Sequence, residues 1–164
     1  MKKVLVTGSA GFIGFHLVKA LLQKECIVVG VDNLNDYYDP QLKRDRLDEI
    51  DHLIDENRLD NNYQFLKLDI SNRVEMHNLF EENSFQVVIN LAAQPGVRYS
   101  LENPYAYIDA NLVGFANILE GCRHSKIEHL IFASSSSVYG MNNKQPFSTS
   151  DNTDYPISLY AATK

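Results

Sequence analysis

The chain is short of basic residues, of cysteine and of long apolar runs, and each shortage closes a route. Lys and Arg number 15 against 21 Asp and Glu, a formal charge of −6. With no basic run, nucleic acid is excluded as a partner. Any anionic ligand must be held by local features rather than by the field of the whole molecule. Cys26 and Cys122 are the only cysteines. They are far apart and lack ligand-like spacing, so no metal site is expected, and both read as buried, reduced thiols of a cytoplasmic protein. No window is apolar enough to span a membrane, and no membrane partner is expected. Met1-Lys2-Lys3 before apolar residues imitates a signal peptide, but three glycines, His16 and Lys19 interrupt the apolar stretch that follows. What remains is 164 residues of ordinary globular composition, enough for one domain with a sizeable core.

The most informative stretch is Thr7-Gly8-Ser9-Ala10-Gly11-Phe12-Ile13-Gly14. Val4-Leu5-Val6 ahead of it reads as a buried first strand, and Phe15 to Leu22 behind it is apolar at helical spacing. The glycines therefore fall in a strand-to-helix turn. Gly8 lets the chain turn sharply, Gly11 allows backbone to approach a pyrophosphate, and Gly14 lets the helix pack tightly on the sheet. The helix N-terminus adds free N–H groups and partial positive charge. The spacing is G-x-x-G-x-x-G, with Ser9 where G-x-G-x-x-G has its second glycine. A glycine turn alone can be purely structural; between a strand and a helix near the N-terminus it points to a dinucleotide.

The rest of the chain alternates strand and helix, the signature of an α/β doubly wound parallel sheet. Cys26 to Val31 is a second strand ending in Asp32, which follows Gly14 at close to the ~20-residue spacing of a ribose-binding acid. A carboxylate there accepts from both adenosine hydroxyls and repels a 2′-phosphate, favouring NAD over NADP; a solvated strand-end aspartate is the alternative. Asn33 and Asn35 could add donors to the same ribose. Pro40 opens a helix through about Ile54, with Leu42, Leu47, Ile50 and Leu53 or Ile54 inward; it reads as surface packing without chemistry. Tyr63 to Leu68 is the third strand. Asp69 at its end could accept from the adenine amino group while Ile70 packs on the ring, or Asp69 could simply cap the next helix. Phe85 to Leu91 is strand four, with small Ala92 and Ala93 at its end leaving room for a cofactor. The loop from Gln94 to Pro104 carries Arg98 as its one cation. Tyr105 to His124 is a long helix with Ile108, Leu112, Phe115, Ile118 and Leu119 inward, and with Asn111 poorly suited to its interior. His129 to Ala133 is strand five, followed by Ser134 to Ser137.

The final five residues are Tyr160-Ala161-Ala162-Thr163-Lys164. On a helix, i and i+4 share a face, so the ammonium can lie beside the phenol and favour the phenolate. Y-x-x-x-K is weak by itself. Together with the glycine turn, Asp32 and the serine cluster it becomes specific.

In these pieces the chain resembles the extended short-chain dehydrogenases/reductases, in the nucleotide-sugar epimerase/dehydratase group, and most of all the UDP-glucuronate 4-epimerases. The resemblance runs the length of the chain and includes Asp32 to Tyr38, Ala92 to Pro104 and Ser134 to Gly140. It implies a catalytic Ser135, an acid/base Tyr160, and a Lys164 that tunes the tyrosine and holds the nicotinamide ribose. It implies an active-site role for Asn111, and cofactor contacts from Phe12, Ile13, Asp69, Ile70, Leu91, Ala92 and Ala93. The implied chemistry is NAD-dependent epimerisation at C4 of a UDP-sugar through a transient 4-keto sugar. Ser136 and Ser137 stand where the dehydratases of the group carry Asp-Glu. They suit hydrogen bonds to a C6 carboxylate, with helix capping as the alternative; Arg98 is the other expected substrate contact. Alternatives on the same resemblance are a UDP-glucose 4-epimerase, a UDP-glucuronate decarboxylase, or an NAD-binding module without turnover. Family members continue beyond the Y-x-x-x-K lysine. Residues 1–164 are thus expected to be an NAD-binding Rossmann domain truncated before its last strands and the substrate domain, with a fraying last turn. Pro95, where relatives often have alanine, stiffens its loop without blocking binding. A homodimer is expected of the full-length protein, through the helix after strand four and the helix bearing Tyr160.

Overall fold

The computed structural model describes residues 1–59 and 61–164. Five parallel strands, β1 (Lys3–Thr7), β2 (Ile27–Asp32), β3 (Tyr63–Lys67), β4 (Val87–Asn90) and β5 (His129–Phe132), form a sheet in the order β3-β2-β1-β4-β5. The register sets Thr7 against Val31 on one side and Asn90 on the other, so the strands end together at one edge. Strand alternation sorts the apolar residues onto two faces. Val4, Val6, Val28 and Ile89 pack with Phe15, Val18 and Leu22 of helix α1 (Phe12–Leu22) and Ile50 and Ile54 of α2 (Pro40–Asn57). Leu5, Val29, Val31 and Val88 pack with Met76, Leu79 and Phe80 of α3 (Arg73–Glu82) and Ile118. Helices on both faces of a parallel sheet make this a doubly wound Rossmann-like fold, and the order reverses between β1 and β4, where such folds open a crevice.

Three local readings differ from expectation. Helix α1 begins at Phe12, so Gly14 lies in its first turn rather than before it. Helix α2 turns Lys43 inward with Ile50 and Ile54, whereas Leu42 is 48% exposed; an ion pair described below draws the lysine in. The helix after β4 is in pieces: α4 (Tyr99–Glu102), α5 (Pro104–Tyr107), a π-helical stretch Ile108–Gly114, and α6 (Phe115–His124). Its inward face is Tyr107, Asn111, Gly114, Asn117 and Ile118, one position before the expected stripe, and Ile108, Leu112 and Leu119 face outward. The buried amides have work there, since Asn117 Nδ2 donates to the Ile70 carbonyl at 2.8 Å.

The chain closes with a 3-10 turn, Ser136–Tyr139, and helix α7 (Leu159–Ala162), which Ser158 Oγ caps by accepting from Ala161 N at 3.0 Å. Cys26 and Cys122 are half-buried and unpaired, not fully buried as expected, and burial pushes the Cys122 thiol up to about 11.

Candidate functional site

A cleft of about 630 Å³ lies along the carboxyl ends of the strands, within the range of small-molecule and cofactor sites. Its floor is the glycine turn. Gly8 adopts φ +68°, and a Cβ on it would fall 2.8 Å from Ala92 N, so only glycine brings β1 this close to the end of β4. A Cβ on Gly14 would run into the Gly8 carbonyl, whereas a Cβ on Gly11, which lines the cleft, would meet that oxygen at 3.0 Å. Gly11 caps α1 without a side-chain hydrogen bond. The first N–H groups of the helix are thereby left to an anionic ligand. Ser9, at the position of the missing glycine, is fully buried and packs over Gly30, so its side chain leaves the cleft clear.

Thr7 ties the two central strands. Its hydroxyl donates to Asn90 Oδ1 at 2.6 Å and accepts from Ala92 N at 3.1 Å.

At the β2 end of the cleft Asp32 is 5% exposed. Its Oδ2 accepts from Ala10 N at 3.2 Å, and its Oδ1 accepts from Leu34 N and from Lys43 Nζ, both at 2.9 Å. Lys43 is equally buried and also donates to Asn35 Oδ1 at 3.0 Å. The expected bare carboxylate is therefore a neutralised pair, and its charge alone does not repel a 2′-phosphate. Next to it, Arg46 donates to the Ala10 carbonyl and to Tyr38 Oη, each at 3.0 Å. Asn33 Nδ2 donates to Asp69 Oδ2 at 2.8 Å, so this amide links β2 to β3. Asp69 Oδ1 accepts from the Ser71 N–H and hydroxyl, while Asn72 rather than Asp69 caps α3. Burial pushes the Asp69 carboxyl up, but the hydrogen bonds from Asn33 and Ser71 outweigh it and hold the group below its ordinary value.

At the other end Tyr160, on α7, and Lys164, just past the end of that helix, both line the cleft. The Tyr160 ring stands edge-on to that of fully buried Tyr107, centroids 6.0 Å apart. Burial lowers the Lys164 ammonium below its ordinary value. Helix α7 ends at Ala162, and Thr163 ties the turn that follows. Thr163 Oγ1 accepts from Asn111 Nδ2 at 3.0 Å and donates to the Tyr160 carbonyl at 3.0 Å.

Of the residues expected at a cofactor, Gly8, Gly11, Phe12, Ile13, Gly14, Asp32, Asn33, Asn35, Asp69, Ile70, Leu91, Ala92, Ala93, Tyr160 and Lys164 all line this one cleft. Five expected site residues do not. Asn111 lies beneath it, its amide spent on Gln94 N (2.8 Å), the Gln94 carbonyl (3.1 Å) and Thr163. Ser135 turns its oxygen to Ser137 N at 3.2 Å and caps the 3-10 turn; Ser134 reaches the lining in its place, donating to the Lys164 carbonyl at 3.2 Å. Ser136 and Ser137 follow within the turn that Ser135 caps, away from the lining. Arg98 is exposed at the start of α4, in a loop held by Tyr107 Oη, which donates to the Pro95 carbonyl at 2.7 Å. The lining also includes Leu42, Lys43 and Arg46 of α2, a helix whose sequence reads as surface packing without chemistry. Their i, i+1, i+4 spacing near Asp32 was the available signal.

Residues 5–164 match the family described as GDP-mannose 4,6 dehydratase. Protein CapI of Staphylococcus aureus is 54% identical over 162 residues, covering 99% of this chain and 46% of that protein. UDP-glucuronate 4-epimerase 3 of Arabidopsis thaliana is 48% identical, covering 98% of this chain and 36% of that protein. Among solved structures, a variant of UDP-glucuronic acid 4-epimerase from Bacillus cereus in complex with UDP-4-deoxy-4-fluoro-glucuronic acid and NAD superposes with a TM-score of 0.85 at 35% identity, covering 99% of this chain and 48% of that one. UDP-glucose 4-epimerase of Thermus thermophilus in complex with NAD gives 0.77 at 32% identity, covering 99% and 47%. The chain spans about half the length of the relatives it matches most fully. On the match over nearly its whole length, the chain belongs to the GDP-mannose 4,6 dehydratase family of extended short-chain dehydrogenases/reductases.

Proposed function

We propose that this chain is the cofactor-binding half of an NAD-dependent nucleotide-sugar 4-epimerase that interconverts UDP-glucuronate and UDP-galacturonate, with the substrate domain encoded beyond it. The observation that carries the reading is one cleft with a glycine cradle and an acid at one end and Tyr160 with Lys164 at the other. The residues fit NAD: Gly11 brings bare backbone to the lining of the cleft, and N–H groups at the start of α1 suit a pyrophosphate. Asp32 takes the adenosine ribose, Asp69 and Ile70 the adenine, and Leu91, Ala92 and Ala93 line the path toward the nicotinamide. When bound, NAD supplies reversible hydride acceptance from the sugar C4. Tyr160, as phenolate, removes the proton of the 4-hydroxyl and returns it after the keto sugar has turned over. The Lys164 ammonium favours that phenolate. Ser135, Ser136 and Ser137 stand outside the cleft lining, in the turn after β5, and their roles rest on the family pattern and not on the cleft. On that pattern the Ser135 hydroxyl, which accepts from Ser137 N, donates its own proton to the sugar oxygen, and Ser136 and Ser137 are donors for a uronate carboxylate. Asn111 acts by holding Thr163, and with it the turn that carries Lys164.

The likeness to UDP-glucuronate 4-epimerases supports the uronate over glucose. The outward stripe of Leu112 and Leu119, 48% and 44% exposed, supports a homodimer of the full-length protein through this helix. Among the described residues no helix is long and apolar enough to cross a membrane, in keeping with a cytoplasmic enzyme.

Incubating the full-length gene product with UDP-glucuronate and separating the two uronates by chromatography tests the reading. Interconversion is expected, and Tyr160→Phe is expected to lower it by at least ~100-fold while leaving NAD bound. Residues 1–164 alone are expected to bind NAD without turnover, because the sugar is not positioned. Activity on UDP-glucose alone would move the substrate, and failure to bind NAD would overturn the reading.

A further inference from the structure

The buried Lys43 is the feature of the cleft that neither its motifs nor the chemistry above uses. It sits on α2, its side chain 7% exposed, in a position where an amphipathic helix would carry an apolar residue. An ammonium has three donors. Two go to Asp32 Oδ1 at 2.9 Å and Asn35 Oδ1 at 3.0 Å. Among the described residues no third acceptor meets it. The Tyr38 ring, 5.4 Å from Nζ to centroid, bounds it on one side, and the residue lines the cleft.

Asp32 is incomplete in the complementary sense. Its Oδ1 already accepts twice, from Leu34 N and Lys43, but among the described residues Oδ2 accepts only from Ala10 N and has capacity for one more donor. Adjacent to each other, facing one cleft, are thus one spare donor and one spare acceptor. A vicinal diol has the matching pattern: one hydroxyl can donate while its neighbour accepts. Burial sharpens the match, because a donor and an acceptor left unpaired out of water are costly, and a diol satisfies both at once.

We infer that Lys43 is a ribose-binding residue, its free N–H donating to one adenosine hydroxyl of the bound dinucleotide while the other hydroxyl donates to Asp32 Oδ2. This rests on the proposed NAD site. It also reassigns the role of charge at that end of the cleft. The carboxylate and ammonium recognise the diol as a pair, so the discrimination is for hydroxyls and not simply against negative charge.

Calorimetry with NAD and with its 2′-deoxy- and 3′-deoxyadenosine forms tests this on the wild-type chain and on Lys43→Gln. In the wild type each deoxy form is expected to bind at least tenfold more weakly than NAD. In Lys43→Gln the penalty for one deoxy form is expected to collapse to within about threefold, while the other, read by Asp32, persists. A lysine that merely holds Asp32 in place would weaken NAD and both analogues by one common factor, and that result overturns the inference. Should Lys43→Gln fail to fold, the ¹⁵N resonance of the wild-type Lys43 ammonium decides. A shift with NAD that one deoxy form fails to reproduce supports direct contact, and identical shifts with all three overturn it. Absence of NAD binding by the wild type would instead remove the proposed function.

Discussion

Removing Asp32 should unfold the chain more readily than it weakens any ligand. Read as a strand-end carboxylate facing a ribose, Asp32→Ala would cost only a charged hydrogen bond to cofactor. The structure makes it a hub: 5% exposed, it accepts from Ala10 N, Leu34 N and Lys43 Nζ. Truncating one member of a buried ion pair costs about 3–5 kcal/mol, because the other charge stays behind without compensation. Ala10 is fully buried, so its abandoned N–H adds about 1–2 kcal/mol; Leu34 is partly exposed and can turn to water. The sum, about 4–7 kcal/mol, is a large share of the ~5–15 kcal/mol that holds a domain together. Lys43→Met should cost less, about 2–3 kcal/mol, since the carboxylate it leaves keeps two backbone donors. The double variant should fall short of the sum of the two by about 2 kcal/mol or more, the signature of a direct pair. Urea unfolding of the four proteins by circular dichroism, without cofactor, measures all three quantities. A cost below about 1 kcal/mol for Asp32→Ala, or strict additivity, would show that the pair is solvated and that the reasoning from burial fails.

Other expectations follow from single contacts. Gly11→Val should remain folded but lose NAD by calorimetry, because its side chain enters the cleft; Gly14→Ala should instead lower stability by about 1–3 kcal/mol, since its Cβ meets the Gly8 carbonyl. Cys122, pushed up to about 11 by burial, should react with iodoacetamide at pH 8 on the order of 100-fold more slowly in the folded chain than in urea, and equal rates would contradict its burial. Asp69 is held below its ordinary 3.8, so its contribution is complete above that value and is lost as pH falls through it toward the folded-state value. Asp69→Asn should flatten the acid limb of stability against pH below about 4.

The parts of the site that were legible in the sequence are those governed by local rules. The glycine turn, the acid at the end of β2, the small residues after β4 and the i, i+4 tyrosine and lysine each follow from backbone geometry within a few residues, and all reach the cleft. What could not be read depends on partners distant in sequence. Leu42 and Lys43 are adjacent, and hydropathy alone turns the leucine inward. Only Asp32, on a strand across the turn, reverses that choice by drawing in the ammonium. The helix after β4 was displaced by one position for a similar reason: the pattern favours Leu112, but Asn111 has three hydrogen-bond partners inside. Serines were ambiguous because capping and catalysis ask for the same hydroxyl, and Ser135 shows the capping use directly.

The inward turn of Asn111 also explains why a helix can bury amides while exposing leucines. Gln94 is 5% exposed, and its N–H and carbonyl, in a loop just past β4, would be unpaired without that side chain. Two stranded backbone groups cost more than burying one leucine returns. The same amide then reaches Thr163, so the loop after β4 and the turn after α7 are clamped by one residue. At the far end of the cleft an ion pair performs the equivalent task, joining the end of β2 to α2. The difference suits what each end must do. Beside Lys164 a neutral clamp adds no second charge to the end of the cleft that Tyr160 and Lys164 line. Beside Asp32 the lysine cancels a carboxylate that would otherwise be buried alone, yet leaves donor and acceptor free to meet a diol.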